Sequence, residues 1–188
     1  MNYPAASGRG IEKTNKFRAE SVRLQEYDYS MEGAYFVTIC TKNKKMSLGY
    51  IVRGQFRNTP QSKIIQKCWL DLPKHYPNCV LDEFVIMPNH VHSIIIINNP
   101  TVETGLKPVS TAVNSRHSLS EMVRAFKTFS AREINILQAT QGQPFWQSRF
   151  YDHIIRNNYE LNRIRQYIID NPSNWEKDRN NNVENLYI

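Results

Sequence analysis

Cysteine is scarce in this sequence, and no long hydrophobic run occurs in it. The three cysteines, Cys40, Cys68 and Cys79, are an odd number without CxxC spacing, so the sequence indicates neither a disulfide framework nor a thiolate zinc site. The longest purely aliphatic run is 94–97, whereas a helix needs roughly 20 apolar residues to cross a bilayer. Residues 1–10 hold no apolar stretch typical of a secretion signal. We therefore expect a cytoplasmic protein without a membrane partner.

The composition is that of a globular domain with excess positive charge. The chain has 188 residues, of which 40% are hydrophobic and 22% are charged, and this length supports one core but not two ordinary domains. We predict a polar arm over 1–30, a single domain over 31–175 and a polar tail over 176–188. The formal net charge of +7 favours a polyanionic partner such as nucleic acid.

The spacing of apolar residues predicts an α+β fold. Strand-like runs occupy 34–41, 80–87, 91–97 and 145–155, and helical periodicity covers 61–76, 118–137 and the segment from 158 to just before 172. Residues 98–117 lack periodicity and are predicted to form a long loop. This order indicates a ferredoxin-like βαββαβ sandwich, an antiparallel sheet with helices on one face, followed by a C-terminal helix.

Two histidines mark a candidate metal site. His90 and His92 are separated by one residue on a predicted strand, so their side chains project from the same face and can reach one ion. A cysteine-free pair of imidazoles suits a divalent ion that takes its remaining ligands from oxygen atoms and water. The alternative is that both histidines form ordinary hydrogen bonds on a half-buried strand.

A tyrosine on the last predicted helix is a candidate nucleophile. Tyr167 and Asn171 are four residues apart and lie on one helical face. Beside a divalent metal, a phenolate can attack a phosphodiester and form a covalent intermediate, while an amide oxygen can bind the metal. The alternatives are that Tyr167 is a core residue and that Asn171, which precedes a proline, only ends the helix.

Aromatic and basic residues alternate in two segments and predict contacts with single-stranded nucleic acid, in which aromatic rings stack on bases and cations meet phosphates. The candidate DNA-binding residues are Arg124, Lys127 and Arg132 on a helix, and Trp146, Arg149, Tyr151 and His153 on the fourth strand. Core packing of the aromatics and simple solvation of the cations are the alternatives.

Taken together, these stretches resemble a known family. The segments YFVTICTKN, LDEFVIMPNHVHSIIII, SLSEMVRAFKTFS and FWQSRFYDHIIRNNYELNRIRQYIIDNPSNW are similar, in this order, to the REP-associated tyrosine transposases, a branch of the single-tyrosine HUH transposases. The similarity runs from Tyr35 to Trp175. It implies a DNA strand transferase that cleaves and rejoins single-stranded DNA beside palindromic, REP-like hairpins.

The resemblance also implies a role for each matching residue. His90 and His92 correspond to the metal-binding histidines, which would hold Mg²⁺ or Mn²⁺, and Tyr167 corresponds to the nucleophile that forms a 5′-phosphotyrosine bond. Asn171 stands where related insertion-sequence enzymes carry a glutamine ligand. Tyr151 and Tyr159 are the competing nucleophiles.

Two other functions remain open from the sequence. One is a catalytically inactive module that binds structured single strands, and the other is a metal-dependent phosphoesterase in which the histidines activate water. For the transposase we expect a nucleoid-associated protein of a bacterium, acting as a monomer or a homodimer.

Overall fold

A computed structural model describes residues 27–99, 116–178 and 180–181. Most of the predicted arm, most of the predicted loop over 98–117 and the last residues of the predicted tail lie outside the described residues. In chain order the elements are β1 (Gly33–Cys40), β2 (Gly49–Val52), β3 (Gln55–Asn58), α1 (Pro60–Leu70), α2 (Leu72–His75), β4 (Cys79–Met87), β5 (His90–Ile97), α3 (Leu119–Leu137), β6 (Tyr151–Ile155) and α4 (Asn158–Asp170). Short 3₁₀ segments cover 42–44 and 172–177.

Four strands form one sheet with the order β4-β5-β1-β6, and every neighbouring pair is antiparallel. The two strands nearest the centre are the first strand of the chain and the second strand of the β4–β5 hairpin. This order is that of a ferredoxin-like βαββαβ sandwich, so the predicted fold class is confirmed.

Local sequence explains where α1 and α3 begin. Thr59 caps α1: its side chain accepts from the Ser62 amide, and the Ser62 hydroxyl accepts from the Thr59 amide. Ser118 and Glu121 form the equivalent reciprocal pair at the start of α3. α1 and α3 therefore begin with caps of the same type.

The main core lies between the sheet and the layer of α1, α2 and α3. Trp69 of α1 stacks on Phe84 and meets Phe126 of α3 edge-on, and all three belong to this cluster. Tyr29 also packs there, and its carbonyl accepts from the Leu119 amide at 2.9 Å. Residues 27–30, at the end of the predicted arm, are therefore part of the packed domain.

The opposite face of the sheet is covered by α4. A small apolar cluster forms there from Phe36, Ile94, Ile155 and Ile168. Because α4 is the only helix packed into this second cluster among the described residues, it forms a layer of its own. The expected arrangement, helices on one face plus a separate C-terminal helix, is confirmed.

The structure differs from the prediction at three places. The hairpin β2–β3 was not predicted because its strands have four residues each and bury only Gly49. Its turn uses Arg53 (φ 51°) and Gly54 (φ 73°) in the left-handed region. The predicted helix over 61–76 divides after Leu70 because Pro73 cannot donate to the carbonyl four residues earlier. The fourth strand begins at Tyr151, because residues 145–150 make only an isolated bridge at Trp146.

Candidate functional site

The turn between β4 and β5 places two imidazoles side by side. His90 and His92 project toward the α4 face, and they are 0% and 2% exposed. The intervening Val91 packs in the main core on the other face. The Nε2 atoms of the two histidines lie 3.0 Å apart, so the predicted pairing of these side chains on one face is present.

Asn89 fixes the orientation of the first imidazole. Its side-chain amide group donates to the carbonyls of Lys44 (3.2 Å) and Asn180 (2.8 Å), which directs its Oδ1 toward Nδ1 of His90 at 2.8 Å. Because Oδ1 is an acceptor, Nδ1 carries the hydrogen, and the lone pair of neutral His90 is on Nε2. A hydrogen bond of this kind orients a histidine for metal binding.

The second imidazole is positioned from β1. Nδ1 of His92 lies 2.8 Å from Oγ1 of Thr38, and the Phe36 ring stacks on the imidazole at 5.3 Å between centroids. Both residues are close because β1 pairs with β5. The ring is therefore fixed with Nε2 directed toward His90.

Tyr167 of α4 completes the group of rings. Its hydroxyl lies 3.3 Å from Nε2 of His92, its ring centroid is 5.3 Å from that imidazole, and the residue is 48% exposed. The core alternative for Tyr167 does not hold, because the side chain lies at the surface with its hydroxyl at the histidines. A phenol in this position is accessible to a substrate.

Two contacts fix the position of α4 on the sheet. Ile168, which is 1% exposed, packs into the small apolar cluster. The Arg165 guanidinium donates to the carboxylate of Asp82, which lies at an irregularity in β4. The hydrogen bond from Arg165 holds the pKa of Asp82 below its usual value. These contacts fix the position of Tyr167 relative to the two histidines.

Two buried oxygen atoms at the end of the chain support metal binding. Within the described part of the chain, Oδ1 of Asn171 and Oδ2 of Asp178 have no hydrogen-bond partner. Oδ2 of Asp178 lies 3.7 Å from Nε2 of His90, and one ligand atom each from His90, His92 and Asp178 falls within 4.8 Å of the others. Buried acceptors without donors are costly unless a cation meets them. Two imidazoles and a carboxylate are compatible with a divalent metal.

Asn171 has the position predicted for it on the helix. It is the C-cap of α4, 4% exposed and four residues beyond Tyr167, so its side chain lies on the same side of the helix as the tyrosine. It also ends α4 before Pro172. The helix-stop interpretation and the ligand interpretation are therefore compatible.

The aromatic DNA-binding candidates are placed differently from one another. Trp146 is 5% exposed, packs on Phe126, and donates from its indole nitrogen to Oγ of Ser130 at 2.9 Å. This burial removes Trp146 from the candidate DNA contacts, because neither face of its ring is available to a base. Tyr151 is 36% exposed beside Phe36, on the side of the sheet that carries the histidines.

His153 lies farther along β6, 2.7 Å from the Glu160 carboxylate. The basic candidates are Arg124, Lys127 and Arg132 on α3, on the opposite side of the sheet from the histidines, and Arg149, which is exposed just before β6. Nζ of Lys127 donates to the carbonyl of Ser148 at 2.9 Å, and burial lowers the pKa of this lysine.

Three residues of the site were not predicted from the sequence. Asn89 stands directly before His90 in a Pro-Asn turn, and that adjacency is a signal that could have identified it. Thr38 faces His92 only through strand pairing. Asp178 lies in the predicted polar tail after the last helix, yet its side chain is 5% exposed, and no local pattern in the sequence indicates this.

Comparison with known proteins identifies a relative of similar length. An uncharacterized protein of Haemophilus influenzae is 34% identical over 181 residues, which cover 88% of this chain and 97% of the relative. No protein-family model matches the chain. In the described part of the chain, no helix is long and apolar enough to cross a membrane.

Two solved structures are similar in fold. A REP-associated tyrosine transposase bound to a REP hairpin has a TM-score of 0.52 at 20% identity, over 89% of this chain and 81% of that chain. A candidate transposase from Deinococcus radiodurans has a TM-score of 0.44 at 18% identity, over 79% and 95%, and a score this low supports no conclusion. The first structure confirms, at the level of the fold, the resemblance seen in the sequence.

Proposed function

We propose that the chain, which belongs to the family of the Haemophilus influenzae protein and has the fold of a REP-associated tyrosine transposase, cleaves and rejoins single-stranded DNA with Tyr167 as its nucleophile. The observation that carries this proposal is the position of the Tyr167 hydroxyl, 3.3 Å from Nε2 of His92. An accessible phenol beside two imidazoles and an unpaired carboxylate oxygen suits attack on a phosphodiester.

Each residue of the site has a role in this reaction. His90, His92 and Asp178 would hold the ion, with Asn171 as a further oxygen ligand. A bound Mg²⁺ or Mn²⁺ supplies Lewis-acid polarisation of the scissile phosphate. The phenol of Tyr167 loses its proton to water as its oxygen forms a bond to phosphorus. The bond between phosphorus and the 3′ oxygen breaks, and the 3′ oxygen takes up a proton. The products are a 5′-phosphotyrosine and a free 3′-hydroxyl.

The same atoms account for rejoining. A 3′-hydroxyl that attacks the phosphotyrosine restores a phosphodiester, and Tyr167 regains a proton. Each step breaks one phosphoester bond and forms another, so their number does not change. Strand exchange then needs no external energy source, because the phosphotyrosine conserves the energy of the original bond. This reversibility favours a strand transferase over a hydrolase.

The proposed substrate is single-stranded DNA next to a palindromic hairpin. The solved transposase of the same fold is bound to a REP hairpin, and the net charge of +7 suits a nucleic-acid partner. Arg149 and Tyr151, at the surface near the start of β6, remain candidate contacts to this DNA.

The test uses a labelled DNA hairpin with single-stranded flanks, taken from the region around the gene, in the presence of Mn²⁺ or Mg²⁺. We expect wild type to form an adduct that survives denaturation and Tyr167→Phe to form none. Tyr159→Phe is the matched control, because Tyr159 lies on the same helix and is 80% exposed. It should form the adduct as wild type does.

Three outcomes would contradict the proposal. Binding of the hairpin without an adduct, with either metal, would indicate an inactive binding module. Metal-dependent cleavage without an adduct, retained in Tyr167→Phe, would indicate a phosphoesterase in which water attacks. Loss of the adduct in Tyr159→Phe but not in Tyr167→Phe would reassign the nucleophile.

A further inference from the structure

A basic arm lies outside the four-stranded sheet and next to the histidines. This basic arm is distinct from the predicted polar arm over 1–30. It comprises residues 41–58, which are the 3₁₀ segment that follows β1 and the hairpin β2–β3. In this stretch the sequence has five cations and no acidic residue, the cations being Lys42, Lys44, Lys45, Arg53 and Arg57. All but Lys44 are exposed. Charge of one sign on an exposed arm creates a positive potential that attracts phosphates.

Backbone hydrogen bonds join this arm to the turn that carries His90. The Leu48 amide donates to the carbonyl of Pro88 at 3.0 Å, and the Thr41 amide donates to the carbonyl of Asn89 at 2.9 Å. The Asn89 side chain, which orients His90, also donates to the carbonyl of Lys44. The arm therefore has a fixed position relative to the metal ligands.

A groove of about 390 Å³ separates the arm from the segment after α4. Its walls include Tyr50 from the arm, Pro88 from the turn and Trp175 from the C-terminal segment. Tyr50 is 59% exposed, and the Trp175 ring lies 6.0 Å from the His90 ring, measured between centroids. The groove thus begins beside the metal ligands and has an aromatic side chain on each side.

The aromatic walls of the groove and the cations elsewhere on the arm fit one kind of occupant. Bases of single-stranded DNA stack on aromatic rings, each stack contributing about 1–3 kcal/mol, and their phosphates pair with cations. The groove volume lies within the range of sites that take small organic groups. An acidic protein segment would satisfy the cations, but it would leave Tyr50 and Trp175 without a stacking partner.

We propose that this groove binds the unpaired nucleotide next to the scissile phosphate, with its base against Tyr50 and Trp175 and its backbone along the cations of the arm. The inference rests on the proposed function, because it takes the scissile phosphate to lie at His90 and His92. It assigns to the arm the positioning of the single strand, separately from the chemistry at Tyr167.

Tryptophan fluorescence gives a test that does not depend on cleavage. The chain has three tryptophans; Trp69 and Trp146 are 1% and 5% exposed in the main core, whereas Trp175 is half-buried at the groove. In Tyr167→Phe, used to prevent cleavage, we expect the hairpin with single-stranded flanks to quench the fluorescence. The quenching should be lost in Tyr167→Phe/Trp175→Phe. It should also be lost with an abasic nucleotide at the flanking position.

Affinity for the same DNA tests the other wall and the charge. Tyr50→Ala should weaken binding by about 5- to 150-fold, the equivalent of one stacked base, whereas Tyr159→Ala, at another exposed tyrosine, should have no effect. Arg57→Gln should lower the salt dependence of binding by roughly 0.7 in log Kd per log salt, the contribution of one phosphate contact on a single strand.

The results separate this inference from the proposed function. Unchanged quenching in the Trp175 variant, together with unchanged affinity of Tyr50→Ala, would overturn the groove assignment even if wild type forms the adduct. Quenching that requires both aromatic residues, in a protein that forms no adduct, would retain the groove and reject the cleavage reaction. Equal quenching by polyglutamate would show that the groove recognises charge alone, which would also overturn the assignment.

Discussion

The two faces of the four-stranded sheet are built differently, although they share the same strands. Toward α1 and α3, β5 directs Val91, Ile95 and Ile97 into a large apolar cluster. Toward α4, the same strand directs first His90 and His92 and then Ile94 into a small cluster. The first face is apolar except for Ser93, whereas the other changes from polar to apolar along the strand.

This difference separates the residues that stabilise the fold from the residues of the candidate site. The first face also contains buried polar atoms without partners, the Trp69 indole nitrogen and the Ser93 hydroxyl, and the structure gives no reason for them. These are isolated neutral groups, whereas the second face has a carboxylate oxygen beside two imidazole nitrogens. Unsatisfied groups that converge indicate a ligand, because their cost is recovered only when it binds.

The largest expected effects come from substitutions at two adjacent residues of β5 that face opposite sides of the sheet. Val91→Ala removes two methyl-sized groups from the main core and should lower the free energy of unfolding by about 2 kcal/mol, without loss of the DNA adduct. His92→Ala should abolish the adduct. Thermal unfolding with and without Mn²⁺ checks the division, because Mn²⁺ should raise the Tm of wild type and Val91→Ala only.

A Mn²⁺ shift retained in His92→Ala, or lost in Val91→Ala, would mean that the two faces are not independent.

A smaller effect is expected at Asp178. Asp178→Asn replaces the charged oxygen by a neutral one, so Mn²⁺ affinity should fall on the order of tenfold. Without metal, the stability should be unchanged or higher, because a buried carboxylate oxygen without a donor is removed. Isothermal titration measures the affinity, and urea unfolding measures the stability.

Glu176→Gln is the matched control for Asp178→Asn, because Glu176 is exposed two residues earlier and the charge change is the same. Equal effects of the two substitutions would reduce the role of Asp178 to general electrostatics.

The smallest effect concerns the attachment of α4. Because Arg165 holds the pKa of Asp82 below its usual value, the ion pair contributes stability above the unfolded pKa of about 3.9, and this contribution is lost as the pH falls through the folded pKa. Arg165→Ala should therefore cost less than about 1 kcal/mol at pH 7. Its difference from wild type should shrink below about pH 4.

Arg163→Ala, at an exposed position on the same helix, should show no such pH dependence in urea unfolding. A difference between wild type and Arg165→Ala that stays constant with pH would contradict the ion-pair explanation.

Periodicity predicted the sheet and its helices because long apolar patterns leave few alternatives. It failed for β2–β3, whose turn requires a positive φ at Arg53, a conformation that this residue type does not indicate. It also failed for the aromatic run before Tyr151, where tertiary packing buried Trp146 below α3. The strand spacing of His90 and His92 and the helical spacing of Tyr167 and Asn171 were readable because both are local.

Residues brought to the site from a distance were not readable in this way. Thr38 reaches His92 by strand pairing, and Asp178 lies 88 positions after His90 in a segment without periodicity. Only the packing of the tail against the β4–β5 turn places the carboxylate beside the histidines. Periodicity identifies residues that are neighbours along one helix or strand, and His90 and Asp178 are not such neighbours.

The hydrogen bond between Asn89 and the Asn180 carbonyl joins residues 91 positions apart, and this separation has a consequence during protein synthesis. A ribosome adds about 5–20 residues per second, so the segment that supports His90 follows it by roughly 5–18 s at that rate. Tyr167 and Asp178 are also made after His90, 77 and 88 positions later. A nascent chain therefore carries both histidines well before Tyr167 and Asp178 exist, and the complete arrangement can form only after residue 180 has been made.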